Sequence, residues 1–236
     1  MAERSKANRA AGPGLSRDLI IDTALAQIDR SGPQGLSMRS LAQELGVEAM
    51  SLYRYVHGKE DLLEGVVASL MSELTSHLQE AEGSHWQEFL QTVAHSVRAI
   101  ATEHPKAFPL VATRHPAAPW LRPPLRSVEV VDTFLRSLTR NGFTDALAVD
   151  SYRAFSSFLL GQLLLQSVVR GAEAGPAEEP LDEGGAIVPE GDGNMSLDGA
   201  TEVRRLRDLL SEDRSDEEFE ISLEALLDRI ARNVSQ

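Results

Sequence analysis

Apolar residues recur every three or four positions along most of this chain, and no stretch sustains the strict alternation of a half-buried strand. The pattern predicts an all-α protein. Ser16 is placed to cap a first helix whose inner face carries Leu19, Ile20, Thr23, Ala24 and Ile28, and Ser31-Gly32-Pro33 ends it. Ser37 opens a short helix through Leu41 and Leu45. Gly46 breaks it, and a second short helix runs from about Glu48 to Tyr55, stopped by His57-Gly58. A longer helix follows from Lys59, striped by Leu62, Leu63, Val66, Val67, Leu70 and Leu74.

Beyond Gly83, the run Trp86, Phe89, Leu90, Val93, Val97 and Ile100 marks another amphipathic helix, ended by His104-Pro105. The prolines between 105 and 124 forbid a long helix there. Leu125, Val128, Val131, Leu135 and Leu138 outline the next helix, which stops at Asn141-Gly142. From Thr144 to Arg170 apolar residues nearly encircle the helix, so both sides need cover. One face in its own domain and the other against a second subunit is the economical arrangement. Gln162 and Gln166 interrupt this segment and argue against a membrane span. The stretch 171–199 holds seven Gly, three Pro and eight acidic residues without Lys or Arg, and is expected to be a flexible acidic loop. A short helix over about Thr201–Leu210 then precedes a last one, in which Phe219, Leu223, Leu226, Ile230 and Val234 form a packing seam.

Charge changes this picture by its distribution. The net charge is -13, which taken as an average opposes phosphate binding. Residues 1–60, however, carry eight Lys and Arg against seven Asp and Glu, so the acidic excess lies entirely beyond residue 60. An acidic body behind a neutral-to-basic head either orients the molecule on DNA or simply keeps it soluble. Cysteine is absent, which excludes thiolate metal sites and thiol nucleophiles and fits a reducing compartment. The basic N-terminal arm, 1–14, precedes no apolar run of signal-peptide type, so a cytoplasmic protein without a membrane anchor is expected.

The segment 37–59 carries the chemistry. Leu41, Ala42, Leu45, Val47, Leu52 and Val56 can close a small core about a sharp turn at Gly46. Ala49, Met50, Ser51, Tyr53, Arg54 and Tyr55 then face outward on the second helix. Such a pair is either a generic helical hairpin with a solvated face or a helix-turn-helix with its second helix in the major groove. On the second reading Ala49, Met50 and Ser51 reach base edges, while Tyr53 and Tyr55 donate to phosphates. Arg39 is the candidate for a guanine contact, and Lys59, opening a helix, can hold a phosphate.

The run Ser37-Met38-Arg39-Ser40-Leu41-Ala42, with Gly46-Val47 and Leu52-Tyr53-Arg54-Tyr55-Val56 followed by Lys59 and Leu62-Leu63, resembles the helix-turn-helix of the tetracycline-repressor (TetR) family. The resemblance implies a three-helix head over 15–60, with a linking helix to a helical ligand-binding and dimerisation body over 61–236. It implies DNA contacts at Met38, Arg39, Ala49, Met50, Ser51, Tyr53, Arg54, Tyr55 and Lys59, and Ser37 is taken with them. Trp86-Gln87-Glu88-Phe89-Leu90, Thr113-Arg114, Asn141-Gly142-Phe143 and Phe219-Glu220 are similar to the tetracycline-repressor subgroup itself. That likeness implies a four-helix dimer interface, assigned to Leu159, Leu163, Phe219, Leu223, Leu226 and Ile230. Thr75, Val93 and Leu110 stand where the subgroup's drug-and-magnesium site places His and Asn. A metal-chelated drug is therefore not expected, and neither metal nor cofactor is assigned.

The expected effector is instead a small apolar or amphipathic molecule, held by some of Phe89, Val93, Val97, Phe108, Trp120, Phe134, Phe155 and Phe158 or, if these are plain core, elsewhere. The expected partners are double-stranded operator DNA, that effector and a second copy of the chain. An enzyme is the main rival class. The six His show no metal-type spacing, and neither a phosphate loop nor a nucleophile elbow is present, so no catalytic residue is assigned. A DNA-binding protein without any effector also stays open, as does the sign of regulation.

Overall fold

The computed structural model describes residues 15–113, 118, 120–172 and 199–234, and within them every regular element is helical. The expected basic arm, and all but the ends of the expected acidic loop, lie outside these residues. The described residues form two compact units, one holding α1 to α7 and one holding α8 to α10.

Three short helices make the first part of the larger unit: α1 (Arg17–Ser31), α2 (Met38–Leu45) and α3 (Ala49–Leu52). Their ends are set by local chemistry. Ser16 Oγ accepts from the Leu19 N–H and starts α1. Ser37 and Ser40 cap α2 reciprocally, each hydroxyl accepting from the other's backbone N–H at 3.1 Å. Gly46 ends α2 at φ 68°, a left-handed conformation that a side chain would strain, and this reversal crosses α3 over α2. Ile20, Ala24, Ile28, Leu41, Leu52 and Val56, all with no exposed surface, close the small core.

The long α4 (Lys59–Glu80) runs out of this head and packs along α1 and α5. Gly65 marks its closest approach to α1, because a Cβ there would lie 2.6 Å from Ile21 Cδ1. Behind it come α5 (Trp86–Glu103), a 3-10 turn at Phe108–Leu110, α6 (Val128–Arg140) and α7 (Asp145–Val169). Phe134 on α6 sits edge-on or tilted to Phe89, Tyr152 and Phe155 at centroid separations of 5.5 to 6.0 Å, anchoring the core of the body.

The second unit holds α8 (Thr201–Arg205), α9 (Arg207–Ser211) and α10 (Ser215–Val234). The stretch expected as one short helix is thus two, separated at Leu206. Along α10 the buried residues are Phe219, Leu223, Leu226, Leu227 and Ile230, so the expected seam gains Leu227, while Val234 in the last turn is only half-buried.

Candidate nucleic-acid interface and apolar cavity

The cations of the head sort into two groups. Arg17 pairs with Asp61, and Arg30 pairs with Glu44. Both anions are held ionised: Asp61 falls to about 2 through its bonds from Arg17 and from the His57 N–H, and Glu44 is lowered by bonds from Gln27 and Arg30. Arg39, Arg54 and Lys59, by contrast, are exposed and make no ion pair or side-chain hydrogen bond among the described residues. They belong to α2, to the turn after α3 and to the first residue of α4, the elements around the tight turn at Gly46.

The apolar residues between them follow the same division. Met50 is 75% exposed, an unusual position for a methionine that serves only packing, and Tyr53 is exposed beside it. Ala49, Ser51 and Tyr55 are half-buried. The helix expected from Glu48 to Tyr55 is only the four residues Ala49–Leu52. Tyr53, Arg54 and Tyr55 form a turn, closed by N–H groups of Tyr55 and Val56 donating to the Leu52 carbonyl. Met38 is half-buried on α2. Ser37 is committed to capping, with its hydroxyl shared between the Ser40 N–H and Ser40 Oγ, so its contribution is to orient α2.

In the body, a small apolar cavity of about 30 Å³ opens between α4, α5, α6 and α7. Of the eight residues considered from sequence, Val93, Val97, Phe134 and Phe155 line it. Phe89 and Phe108 are fully buried core away from its wall, Phe158 is half-buried off the wall, and Trp120 is 75% exposed. Most of the remaining wall is aliphatic, including Met71 and Leu74 of α4, Val111 and Leu125. Polar character comes only from Ser156 and Tyr152, whose phenol donates to the Pro123 carbonyl at 3.2 Å and is pushed up in pKa by burial. Thr75 lies outside this wall and donates to the Met71 carbonyl, while Val93 is apolar wall, so neither offers the cavity a metal ligand. Among the described residues no three His, Asp or Glu gather as a metal site.

Arg126, missed from sequence, joins the cavity to α4. Its guanidinium, 9% exposed, donates to Glu64 of α4 at 2.5 and 3.1 Å and to Thr113 Oγ1 at 3.1 Å. Its backbone N–H donates to the carbonyl of Val111, a wall residue. A charge buried to this extent needs several fixed partners.

The six residues assigned from sequence to a dimer interface are all buried within the single chain, and Leu159 lines the cavity. The large apolar side chains left open on the same helices are Leu165, Val168 and Val169 on α7 and Ile221 on α10.

Comparison with known proteins connects these features. Residues 20–66 match the model of bacterial regulatory proteins of the tetR family, and residues 79–234 match that of the tetracyclin repressor-like C-terminal domain. The chain is 34% identical to the class D tetracycline repressor protein of Escherichia coli over 154 residues, covering 64% of this chain and 66% of that repressor, just short of two thirds of its length. A possible TetR family transcriptional regulator from Streptomyces coelicolor A3(2) superposes with a TM-score of 0.69 at 25% identity, covering 92% and 99% of the two chains. ActR of the same species, solved in complex with actinorhodin, shares the fold at a TM-score of 0.64 and 23% identity, with 94% and 98% covered.

Proposed function

The chain belongs to the TetR family of bacterial regulatory proteins, and on that premise we propose that it is a ligand-responsive DNA-binding repressor, not an enzyme. It binds its operator as a homodimer and is released by a small apolar or amphipathic molecule. The observation that carries the DNA reading is the unpartnered, exposed set Arg39, Arg54 and Lys59 around Met50 and Tyr53. Phosphate and base-edge contacts need donors that intramolecular pairs have not consumed. Arg39 then reads a base, Ala49, Met50 and Ser51 approach the groove floor, and Tyr53, Arg54, Tyr55 and Lys59 grip the backbone.

The effector reading rests on α4. Lys59 opens this helix and Met71 and Leu74 line the cavity, about 18 Å further along at 1.5 Å per residue. A ligand wedged against Met71 and Leu74 tilts a rod whose other end carries the head. Because half-sites have fixed spacing, a small change in head separation weakens binding. A cavity with two hydroxyls in an otherwise apolar wall favours a small, largely apolar molecule with one or two polar groups.

The test is a compound screen that reads melting temperature and DNA retention together. A ligand present at a hundredfold its Kd stabilises the fold by about 2.7 kcal/mol. An inducer raises the melting temperature and shifts the duplex to the free form, and Phe155→Ala lowers the affinity for that compound. Compounds that stabilise the protein without displacing DNA at any concentration would contradict the coupling.

A further inference from the structure

The head continues covalently into the body only through α4, yet a second attachment sits at the end of α1. His104 caps α5, and its Nδ1–H donates to Asp29 Oδ2 on α1 at 2.8 Å. Two residues on, Lys106 Nζ donates to the Arg30 carbonyl at 2.7 Å. The other Asp29 oxygen, Oδ1, is buried without any hydrogen-bond partner, so His104 is the side chain that holds this carboxylate. Packing does not fully close the joint, since a cleft of about 190 Å³ beside His104 is lined by Leu25 of α1, Ser69 and Leu70 of α4 and Ile100 of α5.

Both ends of this attachment lead somewhere. On the head side, Arg30 and Gln27 bind Glu44 of α2 at 2.6 to 2.7 Å, and Ser40 of α2 donates to Gln27 Oε1. On the body side, the His104 carbonyl accepts from the Ala107 and Phe108 N–H groups, in a turn flanked by Val97 and Val111 of the cavity wall. A continuous set of bonds therefore runs from the cavity to α2 without passing through α4.

We propose that His104 and Lys106 form a clamp on the end of α1 that fixes the angle of the helix-turn-helix head on the body, with His104 as its positioning residue. The clamp sets head orientation in the DNA-binding form, and a molecule that separates Val97 from Val111 strains it. This role rests on the DNA-binding reading above. The geometric claim, that the clamp sets the head angle, stands apart from it.

The cysteine-free sequence allows spin labels at Asp22→Cys on α1 and Gln91→Cys on α5, both exposed, in protomers diluted with unlabelled chain. Pulsed electron resonance on the otherwise unaltered protein should give one narrow head-to-body distance distribution. His104→Ala and Lys106→Met should each broaden it at least twofold, and His104→Ala should weaken binding to the DNA upstream of the protein's own coding region at least tenfold. His104→Asn, whose Nδ2–H can take the place of Nδ1–H, should restore both. Circular dichroism checks that each variant is folded. A lower melting temperature in His104→Ala with an unchanged distance distribution would reduce the pair to a structural contact and overturn the clamp. No DNA binding by the unaltered protein would refute the repressor reading instead, leaving the distance widths to judge the clamp.

Discussion

Arg17 on α1 and Asp61 on α4 meet through two bonds, Nη1 to Oδ2 at 3.1 Å and Nη2 to Oδ1 at 2.7 Å. Arg17 Nη1 also donates to the Tyr55 carbonyl at 2.8 Å, and Asp61 Oδ2 accepts from the His57 N–H at 2.7 Å. One ion pair thus ties the start of α1, the start of α4 and the turn that carries Tyr53 and Arg54. Because Asp61 titrates at about 2 in the fold, below its ordinary 3.8, its contribution is in place above about pH 4 and is lost as pH falls towards 2. Asp61→Asn should cost about 1 kcal/mol at pH 7, a value limited by the pair's partial exposure. Urea midpoints of variant and parent should converge as the pH approaches 2, and a gap that persists there would contradict the assignment.

The unpaired cations predict two kinds of loss on DNA. Arg39→Ala should cost about 1 to 3 kcal/mol and relax base preference at one position of each half-site. Lys59→Ala should weaken all sequences alike and lower the slope of log affinity against log salt by about 1 per head. Tyr53→Phe should weaken binding while leaving dimerisation unchanged. Fluorescence anisotropy over a salt series separates these effects.

Gly65 opposes two terms of known size. Alanine is the better helix former by about 1 kcal/mol, but its Cβ would stand 2.6 and 2.9 Å from two carbons of Ile21. Overpacking a buried contact costs about 1 to 3 kcal/mol, so Gly65→Ala should be net destabilising by about 1 kcal/mol. It should also weaken operator binding, since α1 must move away from α4. A rise in melting temperature would show that Ile21 yields freely.

Arg126→Ala leaves Glu64 and Thr113 without their shared donor. The expected loss is about 2 kcal/mol, below that of a fully buried pair because Glu64 is partly open to solvent. Arg126→Lys keeps the charge but not the fork and should recover only part of it. Chemical denaturation reads both, and full recovery with lysine would mean the fork geometry is dispensable.

The head was legible in the sequence because its boundaries are local: Ser16, Ser37 and Gly46 mark helix ends through bonds made within a few residues. The shortness of α3 was not, since Glu48 supplies no side-chain cap and Tyr53 to Tyr55 continue as a turn that periodicity cannot distinguish from a helix. The cavity was half legible. Aromatic residues drew attention to Phe134 and Phe155, but aliphatic wall residues such as Met71, Val111 and Leu125 come from segments far apart in sequence. Arg126 and the His104–Asp29 pair left no sequence signal, because neither partner of a long-range polar contact announces the other. The stripe on α10 and the apolar ring on α7 were read as surfaces for a second subunit. Phe219, Leu223 and Leu163 are buried, and an amphipathic pattern by itself does not say which chain provides the cover.

Operator recognition by the helix-turn-helix is the central claim, and the most direct measurement is anisotropy titration of a labelled duplex from upstream of the protein's own coding region. A scrambled duplex at the same salt serves as the reference. The account predicts a preference of at least about 10³ for the native sequence, within the range of specific regulators, and its loss in Arg39→Ala. Equal affinity for both duplexes, or an Arg39→Ala variant that discriminates as well as the parent, would contradict it.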